Sequence, residues 1–439
     1  MQFINFSPPP ETRKQPVYKN ALKILAKLKD NGYTAYIAGG FVRDLLIKKP
    51  FGHDMDIDIA SSASPDIVKK MFRHTIEVGV QFGVIIVLID RHQYQVASFR
   101  KDDDYIDGRR PKSISFAEPE IDAGRRDFTI NGLFYDPLEG RIIDYVGGIQ
   151  DIKKRIIRAI GDPFSRISED RLRMLRAVRF SAVLGFEMDN DTFQAIIKEN
   201  EGIKTVSRER ICEELKKALL KNPRPSDFMI LFDRSGLLGR IIPEILELKD
   251  IPSENKSSSL FDKMLYMLDN NTYKDTLELI FAIILLNTGK MSESSSLQAK
   301  SVLDRLRFQK KIISQTADLI ENRNYLLNAR DYNKAGTIRF FMKNNILLHI
   351  ELLRLQLLAD SRDMDPFYDA LNAYLRFSRE AFPKPLITGR DLISLGIEKG
   401  PAFSRILKKI YDLQLEKKIH RREEAMNFVR GKYCLGNTR

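Results

Sequence analysis

TAYIAGGFVRDLL (34–46), followed closely by DMDIDIASSASP (54–65), decides the fold. The first stretch reads as a short strand running into the paired glycines Gly39 and Gly40, then a helix start. In the second, DIDIA (56–60) alternates acid and isoleucine at the period of a strand, so Asp56 and Asp58 fall on one face while Ile57 and Ile59 anchor the other. Alternate residues of a strand are roughly 6–7 Å apart. Two carboxylates that close repel unless a cation joins them, and a pair of divalent ions suits in-line phosphoryl transfer. Hard oxygen ligands beside a phosphate-bearing substrate point to Mg²⁺. The bland alternative is a solvated strand edge carrying two stray acids. Asp54 offers a second register, since DMDID holds two overlapping acid pairs. Backbone N–H groups at paired glycines approach a phosphate closely, and Arg43 stands near enough to bind one bidentately, unless it simply pairs with Asp44.

Outward from this centre, Val17–Asp30 has the apolar spacing of a helix, and the first 15 or so residues, with Pro8 to Pro10, read as a loose leader. GVIIVLI (83–89), YQVASF (94–99) and SISFA (113–117) are β-rich, and Ser64-Pro65 opens a helix with Ser as cap. Residues 20 to about 145 form a mixed α/β region. From about 150 the strands stop, and segments such as RLRMLRAVRFSAVL and TIRFFMKNNILLHIELLRLQLL carry helical spacing throughout. A break near AFPKP (381–385) sets off a last helical piece. The chain is α+β.

The 439 residues carry 72 Lys and Arg against 59 Asp and Glu, a balance of +13 that favours an anionic partner. Two cysteines, Cys212 and Cys434, cannot staple a secreted scaffold or form a thiolate zinc site. No run approaches a membrane span, and MQFINFSPPPETRKQ places prolines and charges where a signal peptide would be apolar. The expectation is a cytoplasmic protein without a membrane partner.

Two further blocks carry chemistry. RRDFTING (125–132) crowds Arg125, Arg126, Asp127 and Asn131 beside an apolar strand, as a nucleotide site or as a network tying the fold together. SEDRLRMLRAVRF (168–180) reads as a helix capped by Ser168, with Glu169 and Asp170 in its first turn and Arg173, Arg176 and Arg179 at steps of three. An aspartate accepts from an exocyclic amine and an arginine donates to ring atoms, so such a helix is equipped to read a base edge; intrahelical salt bridges are the alternative.

Together these blocks resemble the class II CCA-adding tRNA nucleotidyltransferases and the related bacterial poly(A) polymerases. GGFVRDLL with DIDIASSASP is similar to the family's first motif, RRDFTING to its second (with Gly132 where alanine is usual), and EDRLRMLRAVRF to its base-reading motif. TGRDLISLGIEKGPAFSRILKK (388–409) resembles a segment near the C-terminus of many bacterial members. The resemblance implies a polymerase-beta-like nucleotidyltransferase head (16–150), an α-helical neck (151–220), a helical RNA-binding body (221–380) and a helical RNA-binding tail (381–439). It implies that Asp56 and Asp58 hold catalytic Mg²⁺, fixing that register over Asp54. Gly39, Gly40 and Arg43 then contact the triphosphate, Arg126, Asp127 and Asn131 the nucleotide, and Asp170 and Arg173 select CTP or ATP, with Arg176 and Arg179 as further contacts. The partners are the tRNA 3′ end, CTP and ATP, with no DNA expected. Within the family, SFRKDDDYIDGRRPKSISFA (98–117) is similar to the flexible loop of A-adding members, and Val80 and Gln81 stand where poly(A) polymerases are more basic, so CCA addition is favoured over polyadenylation, with A-only addition as the remaining alternative. A non-catalytic RNA-binding protein on the same scaffold is the rival of another class. FAIILLNTGK (281–290) has the outline of an HD-type metal helix, but Leu286 and Asn287 replace the ligands, so no metal is expected in the body.

Overall fold

A computed structural model describes residues 1–50, 56–77, 83–102, 114–254, 258–289, 294–329, 332, 334–379 and 382–434. Asp54, Val80, Gln81 and the loop interior 103–113 lie outside the described residues. The chain forms two compact units, 1–243 and 244–439.

The first unit opens with β1 (Gln2–Asn5), α1 (Pro10–Lys14), α2 (Pro16–Asp30), β2 (Ala35–Ala38), α3 (Gly40–Leu46), β3 (Asp58–Ser61), α4 (Pro65–Met71), β4 (Thr75–Ile76), β5 (Val84–Ile89) and β6 (His92–Ser98). β7 (Arg100–Asp102) and β8 (Ile114–Phe116) pair antiparallel, and α5 (Pro119–Gly124), β9 (Phe134–Asp136) and β10 (Arg141–Asp144) complete the α/β part. The eight-stranded sheet runs β1-β10-β9-β2-β3-β6-β5-β4, antiparallel except for the parallel pair β3–β6. Alternation works as the sequence implies: Ile59 and Val96 are buried on one face, and α2 packs Ala21, Ile24, Leu25 and Leu28 against the core. Ser64 caps α4 by accepting from the Ile67 N–H, with Pro65 at the first helical position.

The leader is a correction. Residues 2–5 form the edge strand, registered Gln2 against Asp144 and Asn5 against Arg141, and the Phe6 N–H donates to the Gly140 carbonyl at 2.8 Å. Strands also continue past 150. After α6 (Gly148–Lys154), β11 (Ile156–Ile157) pairs in parallel with β12 (Glu187–Met188), bracketing α7 (Pro163–Glu169) and α8 (Leu172–Leu184). α9 (Asn190–Glu199), α10 (Arg208–Leu219), α11 (Pro225–Arg234) and α12 (Leu237–Ile241) finish the unit, with α10 and α11 both packed on α8. The expected cap also differs. Ser168 and Glu169 end α7, and it is Asp170, in extended backbone between the two helices, that accepts from the Leu172 N–H at 3.1 Å.

The second unit is helical among its described residues: α13 (Leu260–Asn270), α14 (Leu277–Leu285), α15 (Ser295–Arg305), α16 (Lys310–Glu321), α17 (Ala335–Phe341), α18 (Ile346–Ala359), α19 (Asp365–Arg379), α20 (Gly389–Ser394), α21 (Pro401–Leu415) and α22 (Arg422–Val429). α14, the helix of HD-like outline, is apolar all round and buries every residue except Glu278. The break at 381–385 has a counterpart in the core. Phe341, Ile350 and Phe377 belong to one apolar cluster, while Ile387, Leu392, Ile410 and Val429 form another. No described helix is long and apolar enough to cross a membrane.

Candidate active site

β2 ends at Ala38, directly opposite Asp58 at the start of β3, so the strand pairing itself sets Asp58 beside Gly39 and Gly40. Asp56 stands just before β3 rather than within it, because β2 turns away at Gly39 and leaves no partner for the residues ahead of Asp58. Both carboxylates nonetheless reach one cavity of about 630 Å³. All twelve candidate residues line it: Gly39, Gly40, Arg43, Asp56, Asp58, Arg126, Asp127, Asn131, Asp170, Arg173, Arg176 and Arg179. Gly39 has φ of +74°, a turn that favours glycine, and a Cβ there would lie 3.3 Å from Arg126 Nη1.

The cavity wall is a chain of paired charges. Arg43 Nη1 donates to Asn131 Oδ1 at 2.8 Å, and Asn131 Nδ2 donates to Asp127 Oδ1 at 3.1 Å. Asp127 Oδ2 accepts from Arg176 Nε at 2.9 Å, Arg176 Nη1 lies 3.4 Å from Glu214 Oε1, and Arg179 Nε donates to Glu214 Oε2 at 2.6 Å. Burial pushes the Asp127 carboxyl up, but Arg176, Asn131 and the Phe128 N–H outweigh it and bring its pKa to about 2. Arg43 is only 8% exposed and also binds Asp44 through Nε at 2.8 Å, so the expected pair with Asp44 forms at a residue that lines the cavity. Asp170 and Arg173 do not pair with each other. Asp170 Oδ2 accepts from Arg210 Nη2 at 2.7 Å, while Arg173 Nη1 donates to Glu169 Oε2 and to the Arg166 carbonyl, both at 2.7 Å. The helix-borne arginines thus bind acids from other elements as well as Glu169, rather than forming a simple intrahelical ladder.

Several residues of the site lay outside the sequence motifs. Asp122, 1% exposed, accepts from Arg125 through Oδ1 at 2.7 Å and from Arg126 through Oδ2 at 3.0 Å, fixing both arginines. Glu214 and Arg210, both on α10, hold the arginines and the aspartate of residues 168–180. Gln95 and Lys217, likewise outside the motifs, also line the cavity, as does Phe180 at the end of 168–180.

Asp56 and Asp58 differ from the other acids of the cavity. Among the described residues, no hydrogen bond or ion pair joins either side chain, and no third His, Cys, Asp or Glu completes a metal cluster with them. Burial raises the Asp58 carboxyl, the Asp56 charge raises it further, and Arg126 only partly opposes. Two unpaired acids in a basic cavity fit a divalent cation, whose remaining ligands phosphate oxygens would supply.

Residues 35–158 match the family described as Poly A polymerase head domain, and residues 185–249 match the one described as Probable RNA and SrmB- binding site of polymerase A. The fold and site therefore define a nucleotidyltransferase, of a class that uses divalent metal. The CCA-adding enzyme of Streptococcus gordonii is 33% identical over 399 residues, covering 90% of this chain and 92% of that protein. That of Bacillus subtilis is 33% identical over 383 residues, covering 87% and 89%. The crystal structure of the Bacillus stearothermophilus CCA-adding enzyme in complex with CTP matches with a TM-score of 0.73 at 25% identity, covering 96% of this chain and 100% of that one. The chain belongs to the family of CCA-adding enzymes.

Proposed function

We infer that the protein adds CMP, CMP and AMP to the 3′ end of tRNA from CTP and ATP without a nucleic-acid template, releasing pyrophosphate. The observation that carries this reading is that Asp56 and Asp58, unpaired among the described residues, share a cavity with the glycine turn, Asp170 and Arg173. Asp56 and Asp58 would hold Mg²⁺, which when bound makes the RNA 3′-hydroxyl a better nucleophile and neutralises the leaving pyrophosphate. Gly39 and Gly40 let backbone approach the triphosphate, with Arg126 packed behind them. Arg43, Asn131 and Asp127 fix the wall between the phosphates and the base. Arg210 and the Leu172 N–H orient the Asp170 carboxylate, whose remaining lone pairs accept from the amine of cytosine or adenine. Arg173, anchored through Glu169, turns its other donors to the ring. Reading by side chains needs no template.

The head (16–150) and neck (151–220) of this reading fall inside the first compact unit, the body (221–380) straddles the 243/244 division, and the tail (381–439) ends the second. Residues 244–380 contain 19 Lys and Arg against 19 Asp and Glu, whereas 381–439 contain 13 against 6. That contrast supports RNA-backbone contact by the tail. The substrate pool places the enzyme in the cytoplasm. The test is incubation of tRNA lacking its 3′ end with CTP, with ATP and with both, followed by sequencing of the products. CCA addition requires both nucleotides and stops after three residues. A single A on tRNA ending in CC, with no use of CTP, would mean A-only addition, and a long A tract from ATP alone would mean polyadenylation.

A further inference from the structure

Phe180 lies on α8 directly after Arg179, lines the cavity and is 7% exposed. Three guanidiniums lie over its ring: Arg43 from α3 at 5.1 Å from the centroid, Arg176 at 5.3 Å and Arg179 at 3.9 Å. Phe128 packs against the same ring edge-on, 5.8 Å away at 78°, and steadies it. Hydrogen bonds to acids or amides account for two of the three cations: Arg43 is bound by Asp44 and Asn131, and Arg176 by Asp127 and Glu214. Arg179 commits only its Nε, to Glu214, so among the described residues its terminal nitrogens have no hydrogen-bond partner.

A ring face and a carboxylate hold a guanidinium differently. A carboxylate occupies the in-plane N–H donors. A ring attracts the cation through its π cloud, from above the guanidinium plane, and leaves those donors unused. We propose that Phe180 is a positioning residue that holds Arg179 by its ring face, so that the Arg179 terminal N–H groups are presented to the phosphates of the incoming nucleoside triphosphate. The ring also links Arg43 of the sheet domain to the arginines of α8, so the phosphate side of the cavity is built on one aromatic side chain. The proposal rests on the reading of the cavity as a nucleoside triphosphate site. Because CTP and ATP share their phosphates, the effect of Phe180 must be the same for both.

The test replaces Phe180 with mono-, di- and trifluorinated phenylalanine, which drain the ring face of negative charge with little change of shape. KM for CTP and KM for ATP rise together in steps, reaching about tenfold with the trifluorinated ring, between the sizes of an exposed and a desolvated cation–π contact. Meanwhile kcat, KM for tRNA and Tm stay at wild-type values. Phe180→Leu, which keeps apolar bulk without a ring, gives a KM rise at least as large. A flat fluorination series in an active enzyme overturns the role of Phe180 and leaves the nucleotide site standing. A rise for only one nucleotide also overturns it, since Arg179 would then face the base. A wild-type enzyme that uses neither CTP nor ATP overturns the underlying reading and the proposal with it.

Discussion

Around the cavity of residues 1–243, polar side chains are strung together and stop at open space: Asn131, Asp127, Arg176, Glu214 and Arg179 form one chain, and the exposed Asp56 and half-buried Asp58 stand beside it without partners among the described residues. In residues 244–439 the buried charges are closed off. Lys263 meets Asp360 at 2.6 Å with both side chains at 6% exposure or less, and Glu351 binds Arg354 and the Thr272 N–H. Burying a charge is costly in either place. The closed pair offsets most of the cost within the fold, through Lys263 on Asp360 Oδ2, while Asp360 Oδ1 is buried without a hydrogen bond among the described residues. The cavity holds two neighbouring like charges with no partner among the described residues, which something that arrives must satisfy, and that is why adjacent unpaired acids locate a site and paired ones do not.

The largest effect is expected at Asp58. Asp58→Ala lowers nucleotide transfer by at least about 10³-fold if, as proposed, Asp58 holds a metal ion that acts on charge developing in the transition state. Its thermal melt stays within a few degrees of wild type, since the lost carboxylate had no partner to strand. A large fall in Tm would put Asp58 among the closed pairs. Lys263→Met is the converse. It strands Asp360 and costs about 3–5 kcal/mol of stability, read from denaturant melts, while kcat per folded molecule is unchanged. Converting both partners, with Lys263→Met and Asp360→Leu, recovers most of that loss. If the single variant melts normally, the contrast between the units fails.

Arg173→Ala tests the cavity on a finer scale. It reduces discrimination between CTP and ATP by roughly tenfold, or about 1–3 kcal/mol, with KM for tRNA little altered. An unchanged preference would remove Arg173 from base reading and leave it as an anchor for Glu169.

What made the site legible in the sequence was locality. A strand meeting two glycines and acids at period two are patterns within a dozen residues, and the pairing of Ala38 with Asp58 merely joins them. Glu214 and Arg210 were not found because ERICEELKKAL reads as a solvated charged helix, and only the packing of α10 on α8 turns them inward. A signal was present: Glu214 falls on the stripe of Ile211, Leu215 and Ala218, where a carboxylate needs a cation. β1 escaped notice because four mostly exposed residues owe their conformation to β10, far along the chain. The misplaced cap at Ser168 has a different origin. α7 and α8 follow each other so closely that the acids between them suit the end of one helix and the start of the next, and only the extended backbone of Asp170 separates them.

The smallest effect concerns acid and again divides the two units. His349 on α18 is 4% exposed, sits edge-on to Phe340 and shares a hydrogen bond of 3.0 Å with Asp318, which also accepts from Lys343 and Asn345. Burial lowers the His349 pKa, Asp318 opposes, and Lys343 lowers it further. The folded state therefore binds the imidazole proton less readily than the unfolded chain. Stability from a neutral His349 is complete above about pH 6.5 and falls away as the pH drops below that value toward the folded pKa. Burial raises Asp318, but its hydrogen bonds from His349, Lys343 and Asn345 hold it well below the usual carboxylate range, so its own contribution is lost only in stronger acid. Asp127, at about 2, likewise stays ionised far below neutrality. Between pH 7.5 and 5.5 the wild type should lose on the order of 1 kcal/mol through His349. His349→Gln, which keeps an N–H for Asp318 but cannot titrate, should be less stable at pH 7.5 and show a shallower pH slope in denaturant melts. Equal slopes for the two proteins would mean that acid acts elsewhere, and that the closed pairs of the second unit are no more sensitive to it than the cavity of the first.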